Sequence, residues 1–177
     1  MKSPIEESPE CLALLGTITA RWATLDSILV YLWADLVGSL AVAEALYFSI
    51  ASQKARMDQL KSGINAAVAS AEWTKADRDA VVPILDRISD LWKTRNNLLH
   101  SYSVATPDNP KRRYWAKVIR PANKQKERMV ELTPESLSKH AEDVGKAGTL
   151  IFEYVWADVL KEHSFSEREH KTPPASP

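Results

Sequence analysis

ILVYLWADLVGSLAVAEALYFSIA, residues 28–51, decides the fold. Its length and apolar content come close to what a membrane-crossing helix needs. Asp35 and Glu44 interrupt it, and Gly38-Ser39 stands between two apolar halves. A charge at mid-bilayer is costly, whereas a glycine–serine pair turns a soluble chain. The stretch therefore reads as a helix–turn–helix hairpin in a cytoplasmic protein with no membrane partner. The opening MKSPIEESPE is polar and acidic, unlike a signal peptide.

Ahead of the turn, Ser8-Pro9-Glu10 supplies a hydroxyl cap, a proline at the first helical position and an acid at the positive end of the dipole. Leu12, Leu15, Trp22, Leu25, Leu29 and Leu32 follow at three- and four-residue steps. That spacing predicts one amphipathic helix over about 9–36. Beyond the turn, Ala43, Tyr47, Ile50, Met57, Leu60 and Ile64 predict a second helix running unbroken to Val68, with Gly63 expected to loosen its end. Thr74 and Asp77 have the form of a capping box. They open a third helix over about 75–102, in which Pro83 should either kink the helix or mark its true start.

SVATPDNPKR, residues 103–112, has the turn residues of a loop. RYWAKVIR (113–120) and ERMVEL (127–132) predict a β-hairpin over about 113–132. Thr133-Pro134-Glu135 starts a last helix that ends near 162. The polar, proline-rich tail, 164–177, is expected to be disordered. The expected fold class is mainly all-α. It is a single domain over 1–163, a bundle of about four long helices with a small β-hairpin inserted before the last.

Composition excludes several chemistries. Only 5 glycines in 177 residues disfavour glycine-rich phosphate loops. Cys11 is the only cysteine, so there is no internal disulfide and no zinc site built on paired cysteines. No histidine–carboxylate spacing of a metal hydrolase is evident, and neither metal nor cofactor is expected. The formal net charge is +0, so any attraction for nucleic acid must be local. One such place exists. Residues 111–128 hold eight basic side chains against Glu127 alone, a net +7. Lys111, Arg112, Arg113 and Lys117 would neutralise RNA phosphates, and the interleaved Tyr114 and Trp115 would stack on unpaired bases. The same run also fits a solvated hairpin whose charges protect its edges.

KTRNNLLHSY, residues 93–102, places an arginine, two asparagines and a histidine where an apolar stripe should close. An arginine–histidine pair at such a spacing arises by chance about 0.7 times in a chain of this composition, so spacing alone decides nothing. Arg95 and His100 lie about 140° apart on one straight helix, while Asn96 and His100 share a face. Asn96 is therefore placed to hold the imidazole. Two copies of the helix across a two-fold axis would bring arginine and histidine together better than one.

The run Arg95-Asn96-Asn97-Leu98-Leu99-His100, near the end of an apolar-periodic helix, resembles the hallmark of the HEPN superfamily: arginine, a polar residue (often asparagine), a few more positions, then histidine, on the penultimate helix of an α-bundle. The resemblance covers about residues 9–162, and its specific part is these six. It implies a homodimeric, metal-independent endoribonuclease that leaves 2′,3′-cyclic phosphate and 5′-hydroxyl ends. Arg95, Asn96 and His100 would be catalytic. Such proteins serve in toxin–antitoxin or phage-defence systems, with RNA as substrate and an antitoxin or other protein as partner. The alternative is a catalytically silent HEPN-like dimer that binds a protein or nucleotide.

A purely structural role fits the same residues. Arg95 would pair with Asp90 or Asp86, His100 would cap the helix's negative end, and the asparagines would bond local backbone. Arg56 is expected at the surface or as a cap, Asp77, Arg78 and Asp79 at a solvated helix start, and Trp22 and Trp92 in the core. His140, His163 and His170 have no partners at ligand spacing.

Overall fold

A computed structural model of the chain describes residues 8–99, 101–106, 109–117, 130–131 and 133–162, with side chains over 8–98 and 133–156. The fold is mainly α-helical. In chain order it has α1 (Pro9–Val37), α2 (Leu40–Ser49), α3 (Gln53–Ala69) and α4 (Lys75–Leu99), then the short strands β1 (Ser101–Thr106), β2 (Asn109–Lys117) and β3 (Val130–Glu131), then α5 (Pro134–Glu162). These gather into two compact units, Met1–Leu25 with Arg87–Lys146 and Asp26–Asp86 with Ala147–Pro177.

In the second unit, Gly38 makes the expected turn with φ +72, a backbone region that side-chain-bearing residues rarely adopt. Ser39 then caps α2, its hydroxyl accepting from the Val42 N–H at 3.4 Å. The helix expected to continue to Val68 instead breaks at Ile50, which turns extended (φ −83, ψ 114). Ser52 caps a fresh helix, α3, accepting from the Ala55 N–H at 3.1 Å. The phase of the buried stripe shifts at the break. Ala43 and Tyr47 are buried on α2, and Gln53, Met57, Leu60 and Ile64 on α3, while Ile50 is only half-buried. Gly63 lies inside α3 and loosens nothing. A Cβ there would stand 3.2 Å from Leu36 Cδ1, so the absent side chain lets α3 approach α1. Leu29, Leu32, Leu60 and Leu85 are fully buried, each worth about 1.5–3 kcal/mol.

Thr74 and Asp77 form the reciprocal cap of α4. The Asp77 N–H donates to Thr74 Oγ1 at 3.2 Å, and the Thr74 N–H donates to Asp77 Oδ2 at 2.8 Å. The Thr74 hydroxyl and backbone N–H hold the Asp77 carboxyl below its ordinary range. Pro83 does not start this helix. It sits inside α4, which runs from Lys75.

In the first unit, Ile18, Trp22 and Leu25 of α1, Ile88 and Leu91 of α4, and Leu137 and Val144 of α5 are buried. Arg21 Nη1 donates to the Ala141 carbonyl at 2.5 Å, tying α1 to α5. Thr133 and Ser136 cap α5 reciprocally, each backbone N–H donating to the other's hydroxyl at 3.1 Å. The hairpin expected over 113–132 is not supported. Strand pairing begins earlier, in the segment expected to be a loop: β1 runs antiparallel to β2, with Ser101 opposite Lys117 and Ala105 opposite Arg113. Pro107 and Asp108, turn-forming types, fall between the two strands. Pro110, which lacks an N–H, falls near the start of β2, where a strand tolerates it. Among the described residues, β2 meets β3 at Tyr114↔Glu131 and Trp115↔Val130. The tail expected at 164–177 lies outside the described residues.

Among the described residues, one helix, α1, is long and apolar enough to cross a membrane by length and composition alone, a test that the core helix of a soluble protein also passes. Two of its carboxylates are engaged within the fold. The Tyr47 hydroxyl donates to Asp26 at 2.6 Å and the Trp73 indole to Asp35 at 3.1 Å.

The two turns carry opposite predictions. At the end of α3, Ala71 adopts φ 62, its N–H donating to the Val68 carbonyl and that of Glu72 to the Ala67 carbonyl. This is a glycine-favouring helix stop filled by alanine. Ala71→Gly is expected to stabilise the protein by up to about 1 kcal/mol, and Gly38→Ala to destabilise it by about as much. Urea unfolding of both variants measures the difference.

Candidate functional site

The candidate site is built on the last two turns of α4. Leu91 and Leu98 are buried and hold these turns in the first unit. Trp92 and Arg95, one helical turn apart, share a face. The Arg95 guanidinium carbon lies over the Trp92 ring, 4.5 Å from its centroid. Trp22, 2% exposed, meets Trp92 edge to face, with centroids 5.2 Å apart and planes at 79°. An aromatic pair in that orientation is attractive, and a guanidinium over an indole face is held by the ring quadrupole. Arg95 Nη1 also donates to Asn96 Oδ1 at 3.2 Å. Arg95 and Asn96 are both half-buried.

Sequence spacing aims Asn96 at His100. The hydrogen bond described for Asn96 goes to Arg95. Asp86 pairs with Lys61, and Asp90 with Lys93 at 2.8 Å. His100 lies outside the described residues, between the end of α4 at Leu99 and the start of β1 at Ser101. Lys111, Arg112, Arg113, Tyr114, Trp115 and Lys117 all fall on β2, whose backbone and register are described and whose side chains are not. The structure thus brings Arg95 and Asn96 together and adds Trp92, which sequence reasoning had assigned to the core. The i, i+3 spacing of Trp92 and Arg95 was the available signal.

Two polar groups elsewhere bear on the candidates. In the second unit, Arg56 folds back on α2. Its Nε donates to the Ile50 carbonyl at 3.0 Å, and its guanidinium lies 4.6 Å from the Tyr47 ring centroid. It caps the broken helix. Burial, and then the Asp26 carboxylate, push the Tyr47 phenol well above its ordinary value. In the first unit, His140 is 7% exposed on the buried stripe of α5. Burial holds its imidazole below the ordinary value of 6.5, with Arg87 adding to the fall and Asp143 opposing it. Arg87 and Asp143 pair at 3.1 Å. Among the described residues, no group of three histidine, cysteine or carboxylate side chains is placed to hold a metal ion.

A histidine held neutral in the fold takes up its proton more readily when unfolded. Its contribution to stability is therefore complete above about pH 6.5 and is lost as pH falls toward the lowered folded value. Wild type should lose urea stability between about pH 7.5 and 5.5, and His140→Gln should lose less over that window. No protein-family model, curated protein or solved structure matches the chain.

Proposed function

We propose that the chain is a cytoplasmic, homodimeric, metal-independent endoribonuclease of the HEPN type, serving in a toxin–antitoxin or phage-defence setting. The observation that supports it most is the state of Arg95. Its guanidinium is held over Trp92 and braced by Asn96 in the last turns of α4, five positions before His100 in the sequence. The basic strand β2 begins at Asn109, after α4 and the intervening strand β1.

The chemistry asks little more of the chain. The 2′-hydroxyl of a ribose attacks the adjacent phosphorus, and the 5′-oxygen of the next nucleotide leaves. A 2′,3′-cyclic phosphate forms. His100 takes the 2′-hydroxyl proton, and His100 of a second copy protonates the leaving oxygen. Arg95 neutralises charge building on the phosphoryl oxygens through paired donors. Lys111, Arg112, Arg113 and Lys117 retain the RNA backbone, and Tyr114 and Trp115 stack on its bases.

A second reading, a catalytically silent helical dimer that binds a protein or nucleotide, draws on the same contact. An arginine fastened to its own helix has a structural use without chemistry. Melting does not separate the two. Arg95→Ala loses a cation–π contact worth about 0.5–1 kcal/mol in either case, which lowers the melting temperature by roughly 1–4 °C. Turnover does separate them. Nuclease chemistry requires Arg95→Ala and His100→Ala each to slow cleavage of mixed single-stranded RNA by about 10²–10⁴ with the dimer intact by sedimentation. Wild-type cleavage should also fall at acid pH, as the accepting histidine becomes charged. An inert but dimeric wild type would leave the silent reading, and a monomer would remove both.

A further inference from the structure

We infer that Trp92, backed by Trp22, is a positioning residue: a two-indole platform that fixes the Arg95 guanidinium as the receptor for an RNA phosphate. This rests on the reading of Arg95 as a phosphate ligand and adds what makes it one. A long arginine side chain samples many rotamers, and ordering it at the moment of binding costs affinity. Here the ordering is done in advance. The guanidinium carbon stands 4.5 Å from the Trp92 centroid, and Asn96 Oδ1 accepts from Nη1. Trp92 itself is only half-buried and would be free to swing if it stood alone. Trp22, 2% exposed and edge-on at 5.2 Å, removes that freedom.

The stack also dictates what Trp92 is for. One face of its ring is covered by Arg95 and the ring also packs against Trp22, so a nucleobase stacking on the covered face would have to displace the arginine. A guanidinium directs its N–H donors within its own plane, the geometry in which it forks onto two phosphate oxygens. Trp92 therefore acts on RNA through Arg95 and not by contact.

The signature of acting through another residue is non-additivity. The test uses the full chain and a short, dye-labelled 2′-O-methyl RNA, which presents phosphates and cannot be cleaved, with binding read by anisotropy. Trp92→Leu should weaken binding by about 2- to 30-fold, the range of a cation–π contact. Trp92→Phe, which keeps a ring, should restore most of the affinity and guards against a folding defect in the leucine variant. On an Arg95→Ala background, Trp92→Leu should cost nothing further. Wild-type affinity in Trp92→Leu, an equal loss on both backgrounds, or no binding by wild type would each overturn the platform. Binding that follows this pattern without cleavage of unmodified RNA leaves the platform standing and removes the nuclease. Cleavage that needs Arg95 but ignores Trp92 does the reverse.

Discussion

α1 buries Trp22 almost completely, and that one indole fixes how the candidate site is built. Trp22 carries Trp92 edge-on, and Trp92 carries Arg95 on its face. The rest of α1 works in the same way. Asp26 accepts from the buried Tyr47 hydroxyl and Asp35 from the Trp73 indole. Hydrogen bonds to a charged partner contribute about 1.5–3 kcal/mol each, and removing one partner leaves a carboxylate stranded. Asp26 and Asp35 are thus the points at which α2 and the turn between α3 and α4 are tied to α1.

Arg95 is where structure and proposed chemistry compete for one side chain. A guanidinium fastened to its own helix has lost freedom in advance, which favours binding by lowering the ordering cost. The same fastening gives the helix end a structural reason to keep an arginine. Stacking costs none of the charge, and a charged group held in a partly desolvated place attracts phosphate more strongly than one waving in water. The decisive quantity is thus what Arg95 does to RNA, since its contribution to melting is common to both roles.

Much of the helical frame was legible because local chemistry announces helix starts. Ser8-Pro9, Thr74 with Asp77, and Thr133-Pro134 each head a helix. The break between α2 and α3 was not legible, because Ile50 prolongs the apolar spacing while the stripe actually passes to the polar Gln53. Nothing in a hydrophobic count anticipates a buried glutamine or the arginine that bonds back to the Ile50 carbonyl. β1 was hidden because its residues adjoin Pro107 and Asp108, whose turn character was spread over the whole segment. At the site, the RNNLLH run drew the eye to arginine and histidine, whose relation depends on a residue outside the described set. Trp92, one turn before Arg95, needed only the i, i+3 rule. Its pairing with Trp22, seventy residues away, needed the fold.

The most direct measurement is the identity of the ends left on RNA by the purified wild-type protein in excess chelator, read by mass spectrometry. The account predicts fragments bearing 2′,3′-cyclic phosphate and 5′-hydroxyl termini. Intact RNA, or fragments ending in 3′-hydroxyl and 5′-phosphate, would contradict it.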